Sequence, residues 1–227
     1  MDKFYQNLGL KSETKLHSNC PNSYYIQEAV RHGMGKLSKD GALVVETGKH
    51  TGRSAKDRYI VKSASTEHTV WWENNLKPMT PKTFAKLKAK VIEYLNGFED
   101  LYITERSVGA HEVHNIQTRL VSTGPQYALF TNHLFREKMR DFTDSDSTIL
   151  HAPRLEIDPA EFDTRSGTVV VTCFDTNTTI ICGTRYAGEI KKSMFAAMNY
   201  RLPAAGILPM HSGASKQQVN GETSVFF

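Results

Sequence analysis

Three runs rich in β-branched residues lie close together in the last third of the chain, at residues 148–151, 169–174 and 178–182. Valine, isoleucine and threonine favour extended backbone, because two heavy atoms on Cβ restrict their side chains in a helix. We therefore expect strands there, and also at residues 42–47 and 58–61. A chain with this many strands must build a sheet and cover its apolar faces.

Four segments carry the signals of helices that could cover such a sheet: residues 24–32, 81–97, the stretch after Pro125 and residues 191–200. The clearest begins after Thr80, a capping residue, with Pro81 at its first position. Strands and helices do not alternate regularly enough for a doubly wound parallel sheet. The predicted class is therefore α/β, with a mixed β-sheet flanked by helices.

Two further signals concern the end of the first predicted helix and the orientation of the helix after Pro125. Gly33 is expected to end the first helix in the left-handed conformation. After Pro125 the predicted helix carries Tyr127, Phe130 and Leu134 inward, and Phe135 is a further inward candidate. Its basic, solvated face is formed by Arg136, Lys138 and Arg140.

The bulk composition is that of one large domain. The 227 residues are 39% hydrophobic and carry 28 basic against 24 acidic side chains, a net charge of +4 that favours anionic ligands. The three cysteines match no disulfide or zinc spacing, which indicates free thiols. We find neither a signal segment nor an apolar stretch long enough to span a membrane, so we expect a soluble cytoplasmic protein without a membrane partner.

A loop at residues 48–57 has the composition of an anion cradle between two strands. It contains two glycines, a histidine and the basic residues Lys49, Arg53 and Lys56. It is not a P-loop, because His50 follows Gly48-Lys49 where that motif needs serine or threonine. The planar guanidinium of Arg53 could grip a carboxylate with two parallel hydrogen bonds. A surface turn with solvated cations has the same composition.

Two adjacent lysines, Lys191 and Lys192, stand at the predicted start of the last helix. The amino end of a helix repels positive charge, so this placement costs stability and suggests a function. Like charge and a nearby metal would lower a lysine pKa and make a neutral amine available as a ligand or proton carrier. Exposed lysines in a flexible turn are the alternative. His211, between an apolar run and a small-residue turn, is a further candidate, although a single histidine is more often structural.

Three separated motifs stand out in the sequence: Thr-Gly-Arg-Ser-Ala-Lys-Asp at 51–57, Tyr-Ala-Gly-Glu-Ile-Lys-Lys-Ser-Met-Phe at 186–195 and Leu-Pro-Met-His at 208–211. Taken together and in this order, they resemble the ATP-dependent phosphoenolpyruvate carboxykinase family. The departures are Ala55, where the family usually has proline, and residues 212–215, which replace a Cys-Ser-Ala-Asn-like run. The resemblance covers nearly the whole chain.

The resemblance implies that residues 1–227 form the substrate-binding N-terminal domain, and that the nucleotide-binding P-loop domain lies beyond Phe227. The last residues, 223–227, resemble a strand that stops abruptly, which also suggests an excised piece. Family members convert oxaloacetate and ATP into phosphoenolpyruvate, carbon dioxide and ADP in gluconeogenesis, with Mn²⁺ and Mg²⁺. The chain alone is expected to be inactive.

The family's site residues map onto five positions of this sequence. Arg53, Tyr186 and Lys192 would bind substrate, with Tyr186 touching the substrate or the departing carbon dioxide. Lys192 and His211 would be the manganese ligands and also contact the nucleotide, and Lys191 and Lys192 would be the catalytic residues.

A non-catalytic module that binds anions or nucleic acid is the competing interpretation. It rests on a pI of about 8.9 and on Trp71-Trp72 as a stacking platform. The basic residues are dispersed, however, and the tryptophan pair more simply anchors an edge of the core. We therefore expect no nucleic-acid partner. A scaffold that has lost catalysis is disfavoured because Arg53, Tyr186, Lys192 and His211 are all present.

Overall fold

The computed structural model describes residues 3–73, 77–143 and 146–227. In chain order its helices and strands are α1 (Lys3–Leu8), β1 (Lys15–Ser18), α2 (Asn22–Arg31), β2 (Lys36–Leu37), β3 (Leu43–Val44), β4 (Arg58–Val61), β5 (Lys77–Met79), α3 (Pro81–Leu95), β6 (Asp100–Val108), β7 (Ile116–Ser122), α4 (Pro125–Leu134), β8 (Arg136–Glu137), β9 (Ser147–Ala152), α5 (Pro159–Phe162), β10 (Val169–Cys173), β11 (Thr178–Cys182), α6 (Gly188–Ala204), β12 (Gly213–Lys216) and β13 (Thr223–Phe226). They belong to two compact units, and the chain passes from the first to the second after Met194.

Within the described ranges, nine strands of the first unit form one mixed sheet. Its order is β1-β6-β7-β9-β11-β10-β4-β5, and β8 pairs with β6 outside this path. Strands β7, β9 and β11 run parallel to one another, whereas β6 is antiparallel to β7 and β10 is antiparallel to β11. The predicted α/β class with a mixed sheet is therefore confirmed.

Helices cover both faces of this sheet, because successive strand residues point to opposite sides. On one face, the buried side of α3 packs with α1, α5 and odd-numbered residues of β6 such as Leu101 and Ile103. This apolar stripe of α3 consists of Phe84, Leu87, Val91 and Leu95. On the other face, Tyr102 packs against Tyr25 of α2 and Ala128 of α4. The start of α6 covers the same face, where Thr118 and Ser147 donate hydrogen bonds to the sulfur of Met194.

Several predicted elements are confirmed. Strands β4 and β11 have the predicted bounds, and α3 begins at Pro81, where the Thr80 hydroxyl accepts a hydrogen bond from the Thr83 amide at 3.1 Å. Helix α2 begins two residues earlier than predicted and is followed by Gly33 at φ +64°, the expected left-handed stop. The three cysteines are free thiols.

The predicted strand at residues 42–47 is too long. Only Leu43–Val44 pairs, in a two-residue ladder with Lys36–Leu37, because this hairpin stands apart from the main sheet. Val44 and Val45 are accordingly exposed despite their β-branched side chains.

Two predictions about exposed side chains are also wrong. Trp71 does not anchor the core, since 69% of it is exposed, whereas the Trp72 indole donates a hydrogen bond to the Glu67 carbonyl at 3.0 Å. In α4 the last residue, Leu134, faces outward. Arg136, Lys138 and Arg140 are exposed as predicted, but they follow the helix rather than form one of its faces.

The second unit runs from Phe195 to Phe227 and begins with the remainder of α6. Strands β12 and β13 form an antiparallel hairpin, which confirms the strand predicted at the end of the chain. None of the helices in the described ranges is long and apolar enough to cross a membrane.

Candidate active site

The segments that carry the predicted site of the first unit meet at one edge of the sheet. The carboxyl ends of β7, β9 and β11 point to this edge because the three strands are parallel. Strand β10 is antiparallel to β11 and parallel to β4, so β4 begins at the same edge. The loop at 48–57 enters β4 there, and residues 183–192 leave β11 there. Ligands of α/β proteins bind outside such strand ends.

A buried carboxylate fixes the end of the loop at 48–57. Asp57 is 1% exposed and accepts hydrogen bonds from Arg165 Nε at 3.1 Å and Nη2 at 2.9 Å. The Ser166 hydroxyl donates a third at 2.8 Å. A charge-assisted, bidentate pair of this kind holds both position and orientation. The loop is therefore anchored and is not a loosely solvated turn.

A chain of hydroxyl and imidazole groups holds the middle of the loop. His50 Nδ1 lies 3.1 Å from the Ser54 hydroxyl, and His50 Nε2 lies 3.0 Å from the Thr168 hydroxyl. Thr168 in turn donates to the Gly183 carbonyl at 2.9 Å. These contacts connect the loop to the end of β11, where the second motif begins.

Glu189 joins the two motifs directly. Its side chain is fully buried, and its Oε1 accepts a hydrogen bond from the backbone N–H of Ser54 at 2.7 Å. Ser54 follows Arg53, and Glu189 precedes Lys191 and Lys192 in the same helix. One carboxylate therefore fixes the backbone beside Arg53 relative to the helix that carries both lysines.

Four cations surround this junction, namely Arg53, Arg58, Lys191 and Lys192, which we call the Arg53 cluster. Desolvation is the largest influence that lowers the pKa of Lys192, followed by the positive charges of Lys191, Arg53 and Arg58, while Glu189 opposes the shift. Burial and the charge of Arg53 likewise lower the pKa of Arg58. Such mutual repulsion is tolerated where an anion is to be bound.

The helix that carries the lysines begins earlier than the sequence predicted. The structure starts α6 at Gly188 rather than near Lys191, with Glu189 N–H donating to the Tyr186 carbonyl at 3.2 Å. Lys191 and Lys192 are therefore the fourth and fifth helical residues, and the acidic Glu189 occupies the first turn, where the helix dipole favours it. The helix also continues past Tyr200 to Ala204.

Tyr186 is half-buried and lies over the start of α6. A Cβ at position 188 would stand 2.8 Å from its Cζ, so glycine is needed for this close approach. Gly48, at φ +66°, similarly leaves room for the guanidinium of Arg185. Gly188 thus allows the position of Tyr186, and Gly48 allows that of Arg185.

His211 belongs to the second unit, where it is exposed and its ring lies 5.4 Å from that of Phe195. Across residues 3–73, 77–143 and 146–227, no group of three or more His, Cys, Asp or Glu side chains could hold a metal ion. Desolvation and the neighbouring cations lower the pKa of Lys192, which makes a neutral amine more accessible at this position.

Sequence reasoning missed the residues that assemble the site. His50, Asp57, Arg58 and Glu189 lie inside or beside the recognised motifs but were given no role. Glu189 carried one usable signal, an acidic residue two positions before a lysine pair. Its burial depends on a contact with Ser54 that spans 135 residues, which no local pattern contains.

The fold and this edge define an α/β protein with a cluster of cations at the strand ends. The family model described as phosphoenolpyruvate carboxykinase matches residues 14–227. The chain is 40% identical over 223 residues to phosphoenolpyruvate carboxykinase (ATP) of Parvibaculum lavamentivorans, covering 96% of this chain and 41% of that protein. It is also 40% identical to the proteins of that name from Ruegeria sp. strain TM1040 and Brucella suis, again covering 96–98% of this chain and 41–42% of theirs.

The chain therefore belongs to the phosphoenolpyruvate carboxykinase family. It spans about 41% of the length of the curated relatives that it matches.

Proposed function

We propose that residues 1–227 are the substrate-binding part of an ATP-dependent phosphoenolpyruvate carboxykinase. The whole enzyme would convert oxaloacetate and ATP into phosphoenolpyruvate, carbon dioxide and ADP, a step of gluconeogenesis in the cytoplasm. The observation that carries this proposal is the hydrogen bond between Glu189 and the Ser54 amide, because it places the motif of Arg53 beside the motif of Lys191 and Lys192.

The chemistry of the reaction matches the charges at this edge. Loss of carbon dioxide from oxaloacetate leaves the enolate of pyruvate, whose oxygen then attacks the γ-phosphorus of ATP while ADP leaves. The Arg53 guanidinium would hold a substrate carboxylate through two hydrogen bonds, and Tyr186 would contact the substrate or the departing carbon dioxide. Lys191 and Lys192 would stabilise negative charge as it develops on the enolate oxygen.

Lys192 and His211 are the residues of this chain that would hold Mn²⁺ and contact the nucleotide. When bound, the ion would supply positive charge near the enolate and phosphate oxygens, and Mg²⁺ would accompany ATP. For Lys192 the requirement is a neutral amine, and the lowered pKa supports that role. The phosphate-binding loop and the remaining metal ligands would come from sequence outside these 227 residues.

Calorimetry and a coupled enzyme assay test whether residues 1–227 bind the substrate without catalysing the reaction. The purified 227-residue chain should produce no phosphoenolpyruvate from oxaloacetate, ATP and MnCl₂, and should bind ATP more weakly than micromolar, because phosphoryl transfer needs a cradle of backbone amides and a lysine. It should still bind oxaloacetate, and Arg53→Ala should abolish that binding. Steady turnover or micromolar ATP affinity would show that these residues contain a complete site.

A further inference from the structure

A second concave site lies on the same sheet edge, toward β7 and β9. It is a cavity of about 280 Å³, bordered by the β2–β3 hairpin, the turn from β7 into α4, the turn after β9 and Arg185 after β11. We call it the aromatic pocket. Its lining includes none of Arg53, Tyr186, Lys191 or Lys192. It is therefore a separate pocket from the proposed substrate site.

Cations dominate the charge of the aromatic pocket. Lys36, Arg154 and Arg185 line it, against one acidic residue, Glu46, whose side chain is 90% exposed and 3.9 Å from Arg185. Two guanidinium groups at one cavity favour a planar, bidentate anion. The ligand is therefore expected to carry a carboxylate or a phosphate.

The walls of the aromatic pocket are formed by rings. Tyr94, Phe98 and Tyr127 line the cavity, and Tyr127 is itself almost fully buried. Burial raises the pKa of Tyr127 to about 12, so its hydroxyl remains a neutral donor at physiological pH. Gln126 adds a buried side-chain oxygen without a hydrogen-bond partner among the described residues. Aromatic rings suit an organic anion better than inorganic phosphate, and the Gln126 oxygen can accept a hydrogen bond from a donor on that ligand.

We propose that the aromatic pocket binds a small organic carboxylate with a planar or apolar body. Arg154 and Arg185 hold the carboxylate, and Tyr94 and Tyr127 contact the body. The cavity is below the range of about 300–1,000 Å³ typical of drug-sized ligands, which limits the body to roughly one ring.

Benzoate, acetate and inorganic phosphate are the probes, titrated into the ¹⁵N-labelled 227-residue chain and followed by NMR. Benzoate should shift the amides of Gly33, Gly35 and Gly124, which line the pocket, while Gly52 and Gly188 beside the Arg53 cluster should not move. Acetate and phosphate should bind at least about tenfold more weakly, because neither carries the body that the rings contact.

Two variants separate this pocket from the proposed substrate site. Arg154 is exposed, so Arg154→Ala should fold normally and weaken benzoate at least about tenfold, the loss of charge-assisted hydrogen bonds. Arg154→Lys is a second variant, which keeps the positive charge. It should also lose affinity for benzoate, because lysine cannot donate two parallel hydrogen bonds to a carboxylate. Arg53→Ala should change benzoate affinity by less than about twofold while it abolishes oxaloacetate binding.

Three outcomes would overturn the proposal: absence of benzoate binding, benzoate affinity unchanged in both Arg154 variants, or phosphate or acetate binding as tightly as benzoate. Loss of benzoate binding in Arg53→Ala would also overturn it, by moving the ligand to the other site. Failure of oxaloacetate binding alone would instead count against the proposed function.

Discussion

The Arg53 cluster and the aromatic pocket share one sheet edge, but the buried groups that support them differ in charge. Around Arg53, fully buried carboxylates accept hydrogen bonds and fix the backbone, as Asp57 and Glu189 do. Behind the aromatic pocket the buried titratable group is His151, whose ring meets Tyr127 edge-on at 4.3 Å and whose Nδ1 lies 2.9 Å from the Ser122 hydroxyl. Burial lowers the pKa of His151 to about 3, so it stays neutral.

This difference shows how one edge can support two kinds of site. The four cations of the Arg53 cluster repel one another, and buried carboxylates fix the backbone that carries them. A pocket that binds an organic body needs rigid packing, which a neutral imidazole beneath a ring supplies. The Arg53 cluster should therefore be most sensitive to loss of a carboxylate, and the aromatic pocket to protonation.

Removing the Asp57 carboxylate tests whether a buried carboxylate holds the loop of the Arg53 cluster in place. Asp57→Ala deletes the acceptor of three hydrogen bonds, two of them from a guanidinium, and should lower the free energy of unfolding by about 3 kcal/mol. Urea denaturation measures the change. Asp141→Ala is the matched control, because the Asp141 side chain is 99% exposed in its pair with Lys138. The control should change stability by less than about 0.5 kcal/mol, and equal losses in both variants would refute the anchoring role of Asp57.

Acidification tests whether His151, behind the aromatic pocket, is neutral in the folded protein. Below about pH 6.5 the unfolded chain protonates His151, whereas the folded chain does not until about pH 3, so the unfolded state gains stability as the pH falls. Between about pH 5.5 and 4 the free energy of unfolding should fall more steeply in the wild type than in His151→Asn, by about 1.4 kcal/mol per pH unit. Urea titrations at several pH values give both slopes. Parallel slopes would mean that His151 is protonated in the folded protein.

Elements with a complete local signal could be predicted from the sequence. Helix α3 follows from the Thr80-Pro81 start and its four apolar residues at helical spacing, and β11 follows from its β-branched run. The long strands β6 and β7 could not be predicted in this way. Strand β7 is buried throughout yet contains Gln117, Thr118 and Arg119, which break any apolar pattern.

Arg119 shows why the local sequence does not identify β7 as a buried strand. Its guanidinium bonds Glu105 on β6 at 2.9 Å and lies 3.8 Å from the ring centre of Phe4, so a charge is accommodated inside the sheet by partners far away in sequence. The candidate site likewise contains residues that short motifs identify and contacts that the local sequence does not reveal. Arg53, Tyr186, Lys191 and Lys192 stand in short motifs, whereas the contacts of Asp57 with Arg165 and of Glu189 with Ser54 exist only after folding.

The most direct test of the central claim is the affinity of the 227-residue chain for phosphoenolpyruvate, measured by calorimetry in the wild type, Arg53→Lys and Lys56→Ala. Lys56 lies in the same loop and is exposed, so it controls for loss of one positive charge. If Arg53 grips a carboxylate with its fork, Arg53→Lys should weaken binding by about tenfold or more although the charge is kept. Lys56→Ala should change the affinity by less than about twofold. Equal affinity of the wild type and Arg53→Lys would contradict the claim that this loop and the lysine helix form one carboxylate site.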